Sequence, residues 1–214
     1  MPPDLDRHRR QMVARQLRRR GIRDSRVLAA MSRVPREAFV PAASRHRAYD
    51  DGALPLGHGQ TISQPYVVAA MCELLELRGD ERVLEVGTGS GYAAAVLDEL
   101  AALVVSFEVI PELAATARVA LVETGHADVE VRTGDGSLGD ACESFDAILV
   151  SAAAPELPAL LVERLADGGR LVCPVGPPSG QRLVLVERRG DQTTTTAGLR
   201  CRFVPLRGVA GHPD

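Results

Sequence analysis

Glu85, Gly87, Gly89 and Gly91 stand in the pattern E-x-G-x-G-x-G, a carboxylate followed by glycine at alternate positions. Before the loop, Val83, Leu84 and Val86 suit a buried parallel strand, and the glycines let the backbone turn sharply and approach a ligand. After it, Ala93 to Leu97 read as a helix whose N-terminal N–H groups face the loop. Strand, glycine loop and helix in that order make a nucleotide-type binding site. The dinucleotide pattern G-x-G-x-x-G would need its third glycine at Tyr92, so a pyrophosphate reading loses its glycine of closest approach.

Three further positions carry chemistry that suits such a site. Glu108 follows the glycine loop by about the interval at which an acid meets a ribose diol, and one carboxylate can accept from both cis hydroxyls. Its plain alternative is a surface acid at a strand end. Asp135, in TGDGS, can accept from an adenine amino group while Gly136 lets the backbone approach the ring, or the Asp-Gly pair is simply a turn. Ser63 is the polar side chain of interest in the long segment before the glycine loop. No histidine stands at a spacing that would make it a nucleophile, since His58 lies between two glycines and His46 in an arginine-rich stretch. A hydroxyl that orients a substrate carboxylate remains, beside a structural or solvated serine.

The elements that must hold these residues follow from periodicity. Asp4 to Arg20 is helical in spacing and is stopped by Gly21, with its arginines on a solvated face; Asp24 caps a second helix, and Pro35 opens a short third one. Residues 49–66 (YDDGALPLGHGQTISQPY) are dense in glycine and proline, and Leu54, Leu56, Ile62 and Tyr66 make them an ordered binding loop. A helix begins at Pro65 and runs to Leu77. Strands are then expected at 83–86, 103–110, 129–132, 147–151 and 170–175. Helices lie between them from Ala93 to about Ala101, from Pro111 to near Gly125, and from Pro155 to Gly168 through Leu157, Leu160, Leu161 and Leu165. Two last β runs, 182–187 and 199–204, are separated by a polar turn at 191–196 too short for a crossover helix, so at least one runs antiparallel. The fold class is α/β: a doubly wound, mostly parallel sheet with N-terminal helices and an antiparallel C-terminal strand. One domain is expected, with residues 1–78 as N-terminal helices and substrate loop and residues 79–214 as the cofactor-binding core. The loops bearing Gly87 to Gly91, Glu108, Gly134 to Gly136 and Ser151 to Pro155 meet along one edge of the sheet.

Composition removes other classes. The 214 residues are 45% hydrophobic, enough for one sizeable core, and no apolar run approaches a membrane span. The arginine-rich N-terminus lacks the apolar block of a secretory signal, so a cytoplasmic protein without membrane association is expected. A net charge of −3, aromatics at 3% and no tryptophan speak against nucleic acid. There is no lysine, which excludes Schiff-base chemistry and the phosphate-loop lysine of an ATP or GTP hydrolase. Cys72, Cys142, Cys173 and Cys201 form no C-x-x-C pair, so they read as reduced, packed thiols, and no metal site is expected.

The glycine loop resembles the first motif of the S-adenosylmethionine-dependent methyltransferases, in which the acid before the loop helps hold the amino-acid end of the cofactor. With AYDDGALPLGHGQTISQPYVVAAM, GDG, SAAAPELPALLVERLADGGRLVCPVG and RFVPL, the resemblance narrows to the protein-L-isoaspartate O-methyltransferases and spans Met12 to Leu206. GQTISQP and FVPL are its specific parts. Cys72 in place of a threonine, and Gly52-Ala53 where a proline is common, depart from the family pattern without touching these roles. The resemblance implies methyl transfer from S-adenosylmethionine, leaving S-adenosylhomocysteine, to isoaspartyl residues in proteins and peptides; a monomer is expected. It implies Ser63 as the active-site serine, with Thr61, Ile62, Gln64 and Val204 at the substrate. It also implies cofactor contacts from Glu85, Gly87, Thr88, Gly89, Ser90, Gly91, Glu108, Asp135 and Gly136. A methyltransferase for a small molecule, and a cofactor-binding module without turnover, are the alternatives.

Overall fold

The computed structural model describes residues 4–139 and 143–212. Among these residues seven strands form one sheet: β3 (Arg82–Val86), β4 (Leu103–Glu108), β5 (Glu130–Thr133), β6 (Phe145–Val150), β7 (Leu165–Val175), β8 (Arg182–Arg189) and β9 (Gln192–Arg200), in the spatial order β5-β4-β3-β6-β7-β8-β9. The first five are parallel and the last two pair antiparallel, β8 on β7 and β9 on β8. The chain leaves β3 towards β4 and β5, then returns to lay β6 on the other side of β3. That reversal opens a crevice above the carboxyl ends of β3 and β6.

Alternation along the strands builds two apolar layers. Val83, Val104, Leu149 and Val172 face one side with the N-terminal helices, whereas Leu84, Val105, Ile148 and Leu171 face the other. The first layer is covered by α1 (Leu5–Met12), α2 (Ser25–Arg33), α3 (Pro65–Leu75), α4 (Tyr92–Asp98) and α5 (Pro111–Glu123). The second is covered by α6 (Ala159–Glu163) and the chain around Leu206. Helix boundaries follow their caps: Asp24 accepts from the amides of Arg26 and Val27, Gly21 ends the first segment at φ 106°, and Pro65 and Pro111 begin α3 and α5. Cys72 and Cys173 are buried and free and Cys201 is free and half-buried, while Cys142 lies outside the described residues.

Four expectations change. Residues 54–62 contain a hairpin, β1 (Leu54–Gly57) and β2 (Gln60–Ile62), closed by His58 and Gly59, both at positive φ as a two-residue hairpin turn requires. The polar stretch at 191–196 is mostly strand: Thr193–Thr196 lie in β9, because β-branched threonine suits an exposed edge and the reversal needs only Gly190 and Asp191. In consequence, the segment expected as a strand over 199–204 leaves the ladder after Arg200, and its continuation forms a single bridge, Pro205 to Ala153. The helix after Pro155 is short, and Leu165 already pairs with Phe145 in β7. Outside the segment 4–20, whose arginines are mostly exposed as expected, packing draws another arginine into the core. Arg36 is completely buried, with Nε donating to the Ala48 carbonyl at 2.7 Å and the guanidinium 4.8 Å from the Tyr92 ring centroid.

Candidate active site

The crevice is a cleft enclosing about 870 Å³ of space, part of it open to solvent. Its floor is the loop after β3. Gly87, Gly89 and Gly91 adopt φ of 96°, 54° and 88°, a left-handed run that side chains resist. The turn is anchored to the neighbouring strand, with the amides of Gly87 and Thr88 donating to the Phe107 carbonyl at 2.8 and 3.1 Å. Gly136 supplies a close approach of another kind, because a Cβ there would lie 2.6 Å from Phe107 and 3.1 Å from Val86.

Glu85 is fully buried at the base of the cleft. In the parallel register it lies beside Ser106 of β4, so both point to the same face. Ser106 Oγ donates to Glu85 Oε2 at 2.6 Å, Ser151 Oγ donates to Oε1 at 3.3 Å, and Thr88 Oγ1 lies 2.6 Å from Ser106 Oγ. No Arg or His side chain forms an ion pair with Glu85 among the described residues. Burial lifts its pKa to about 8, a rise opposed by the two serine hydroxyls and reinforced by the charge of Glu108. A buried acid with hydroxyl partners and no cation suits the ammonium of an amino-acid moiety.

Glu108 ends β4 and is also buried. Its Oε2 accepts from the Gly89 amide at 2.8 Å and its Oε1 from the Ile110 amide at 3.0 Å. Each carboxylate oxygen can accept more than once, so a vicinal diol still finds acceptors here. Phe107, Val109 and Ile110 supply apolar walls beside it. Acid base, diol acceptor and apolar wall together fit the three parts of S-adenosylmethionine.

Ser63 reaches the same cleft from the other side, through the hairpin. Leu56 of β1 lies 3.8 Å from where a Gly89 Cβ would stand, which brings the hairpin against the glycine loop. Ser63 follows β2 and precedes α3 by two residues, with its hydroxyl in no hydrogen bond among the described residues. Beyond it runs a second groove. Five residues, Thr61, Ser63, Ser151, Phe203 and Val204, line both cavities and so mark their junction. Val204 is fixed there by pairing across β6's end: Ala153 donates to the Val204 carbonyl and accepts from the Leu206 amide, both at 2.8 Å. The buried Gln181 side chain clamps the Phe203 backbone at 2.6 and 3.1 Å.

The cleft thus gathers Glu85, Gly87, Thr88, Gly89, Ser90, Glu108, Gly136, Thr61, Ile62, Ser63 and Val204. Three candidates stand apart. Gly91 lies behind the loop as the N-cap of α4, packed against Ala117 and Leu121 of α5. Gln64 lines the second groove, donating to Asp51 at 2.7 Å. Asp135 serves a turn by accepting from the Ser137 amide at 2.9 Å, and it holds the C-terminal segment by accepting from the Val209 amide at 2.7 Å. Sequence reasoning gave no role to Ser106 and Ser151, although a lone hydroxyl two residues before Glu108 in an otherwise apolar strand was a usable signal.

The family model described as Protein-L-isoaspartate(D-aspartate) O-methyltransferase matches residues 8–211. A protein-L-isoaspartate O-methyltransferase of Methanoculleus marisnigri is 54% identical over 207 residues, covering 96% of this chain and 94% of its own. Another, from Marinobacter nauticus, is 55% identical over 213 residues, covering 98% and 97%. Among solved structures, a protein-L-isoaspartate O-methyltransferase superposes with a TM-score of 0.85 at 28% identity, over 95% of this chain and 67% of that one. A Plasmodium falciparum structure in complex with S-adenosyl-L-homocysteine shares the fold with a TM-score of 0.82 at 24% identity, over 94% and 98%.

Proposed function

The chain belongs to the protein-L-isoaspartate(D-aspartate) O-methyltransferase family, and from that membership we propose how its two joined cavities divide the work. The enzyme methylates the free α-carboxylate of L-isoaspartyl residues in damaged proteins and peptides, with S-adenosylmethionine as donor. The observation that carries the residue assignment is the junction: Ser63 lies where the cleft containing Glu85 and Glu108 meets the groove behind it.

Glu85 holds the ammonium of the donor, Glu108 the ribose hydroxyls, and Gly87 to Ser90 pass beneath it, with Gly136 at the adenine. Bound there, S-adenosylmethionine supplies a methyl carbon made electrophilic by its sulfonium. The acceptor needs no base, because an isoaspartyl α-carboxylate, with a pKa of roughly 3.5, is already ionised at neutral pH. What Ser63 contributes is aim. Its free hydroxyl donates to the non-reacting carboxylate oxygen, and the other oxygen is left directed across the junction. Alignment of this kind is worth up to roughly 7–11 kcal/mol in favourable cases. Thr61, Ile62 and Gln64 line the peptide's path, and Val204 offers it main-chain contact.

Selectivity against ordinary aspartate needs more than fit, since a one-methylene displacement discriminates by only about 1–3 kcal/mol. Main-chain hydrogen bonds from the segment around Ser63 to the kinked peptide supply the remainder. The methyl ester formed is then attacked by the following amide nitrogen, methanol leaves, and the succinimide hydrolyses in part to normal aspartate without the enzyme. We place this activity in a cytoplasmic monomer acting on neither membrane nor nucleic acid, with residues 1–78 presenting substrate to the core of residues 79–214. No described helix is long and apolar enough to cross a membrane.

The test is a pair of peptides differing only in aspartyl or isoaspartyl linkage, incubated with methyl-labelled donor. A base-labile methyl ester that releases labelled methanol is expected from the isoaspartyl peptide alone. Equal labelling of both, or of neither, would overturn the assignment.

A further inference from the structure

The groove leading away from Ser63 is unevenly charged. On one wall the Asp51 carboxylate is matched, with Arg20 3.1 Å away and Gln64 donating to it. The same groove is lined by Arg200 and Arg202, both exposed, and neither has an ion-pair partner among the described residues. Their backbone is fixed: the Cys201 amide between them donates to the Gln181 carbonyl at 3.1 Å, and Phe203 is held by the Gln181 side chain. A second feature sharpens the asymmetry. Arg200 of β9 stands directly opposite Arg182 of β8, also exposed and without an ion-pair partner among the described residues. Like charges facing each other across a ladder destabilise it. Two adjacent strands therefore raise a cationic rim that the fold does not neutralise and that costs it stability.

We propose that Arg200 and Arg202 make this groove select isoaspartyl peptides whose flanking residues are acidic, a reading that rests on the methyl-transfer assignment of the adjoining cleft. Exposed rim charges steer encounter and bias partner choice more than they add affinity. Their effect should therefore appear in KM, depend on salt, and leave cofactor binding alone.

The experiment uses three isoaspartyl peptides identical except for Glu, Gln or Lys at the two positions on each side of the isoaspartyl residue. At low salt, kcat/KM should rank Glu above Gln above Lys, with about a tenfold spread between the extremes. That spread should shrink as ionic strength rises through about 0.15 M. In the R200Q/R202Q variant it should fall to about twofold, and in R200E/R202E the order should reverse. S-adenosylhomocysteine affinity reports in each case that the variant is folded. The inference is overturned if the wild type shows no ranking or favours Lys, or if the R200E/R202E variant keeps the wild-type order. Transfer to none of the three peptides would instead remove the methyl-transfer assignment itself.

Discussion

The Gly89 amide donates to the Glu108 carboxylate across 2.8 Å, tying the tightest turn of the glycine loop to the end of the neighbouring strand. The second oxygen of the same carboxylate accepts from Ile110, so one side chain fixes two backbone segments that wall the cleft. Glutamine at this position can offer an oxygen to only one of the two amides, and its NH₂ then faces the other. An unmatched buried donor costs about 1–3 kcal/mol. E108Q is expected to melt several degrees lower and to bind S-adenosylhomocysteine at least about tenfold more weakly. Calorimetric affinity equal to wild type would show that the carboxylate only braces the loop.

Glu85 makes the stability of the enzyme depend on pH in an unusual direction. Its folded pKa, pushed to about 8 by burial, lies above the value of 4.5 for an exposed glutamate. Between those values the native chain keeps a proton that the unfolded chain has released, so its contribution to stability falls as pH rises and levels off above about 8. The maximum slope is about 1.4 kcal/mol per pH unit. E85Q should remove this decline, giving a variant more stable than wild type near pH 8 in urea titrations. It should also bind S-adenosylhomocysteine worse, since the ionised acid is what an ammonium needs. Wild-type binding near pH 7 should release a proton, visible as a dependence of the measured heat on the buffer. An unaltered stability slope in E85Q would contradict the assignment of the titrating group.

Gly208 lets the C-terminal segment lie against Asp135. It sits at φ 118°, and a Cβ there would be 2.1 Å from Asp135 Oδ1. Alanine at this position is strained in both backbone and contact, so the segment must lift and the Val209 amide must leave Asp135. Ala210, which donates to Ser137 Oγ at 3.1 Å, would follow. G208A should become sensitive to proteolysis after Leu206 while the core melts within a few degrees of wild type. With Gly136 at the adenine, cofactor affinity should fall severalfold as well. A tail equally protected in both proteins would show that the contact is not what holds it.

The Ser63 hydroxyl makes no hydrogen bond among the described residues, so its removal strands no hydrogen-bond partner there. S63A should fold and bind S-adenosylhomocysteine within about twofold of wild type, while kcat on an isoaspartyl peptide drops about a hundredfold or more. Parallel loss of both properties would assign the serine to the cofactor cleft instead.

Much of this arrangement is legible in the chain. The runs around Val83, Val105 and Ile148 are aliphatic because their strands are covered on both faces, and Glu85 and Glu108 stand out because they interrupt or end those runs. The readings that fail do so where one pattern serves two structures. Thr193 to Thr196 look like a polar turn, yet on an exposed edge strand polar β-branched residues are what the ladder takes. Leu165 continues the spacing of Leu157 and Leu161, but it has passed into β7. Ser106 is visible as a lone hydroxyl in an apolar strand, but its partner, and any role for Ser151, emerge only through the register that sets one beside Glu85 and the other at the end of the adjoining strand.

The central claim is that donor cleft and peptide groove meet at Ser63. Its most direct test is a crystal structure of the enzyme with S-adenosylhomocysteine and an isoaspartyl peptide. The account predicts the homocysteine ammonium at Glu85, the ribose at Glu108, and the isoaspartyl α-carboxylate within hydrogen-bonding distance of Ser63 Oγ, with one oxygen facing the sulfur. A peptide bound away from Thr61, Ser63 and Val204, or a sulfur turned away from that junction, would contradict it.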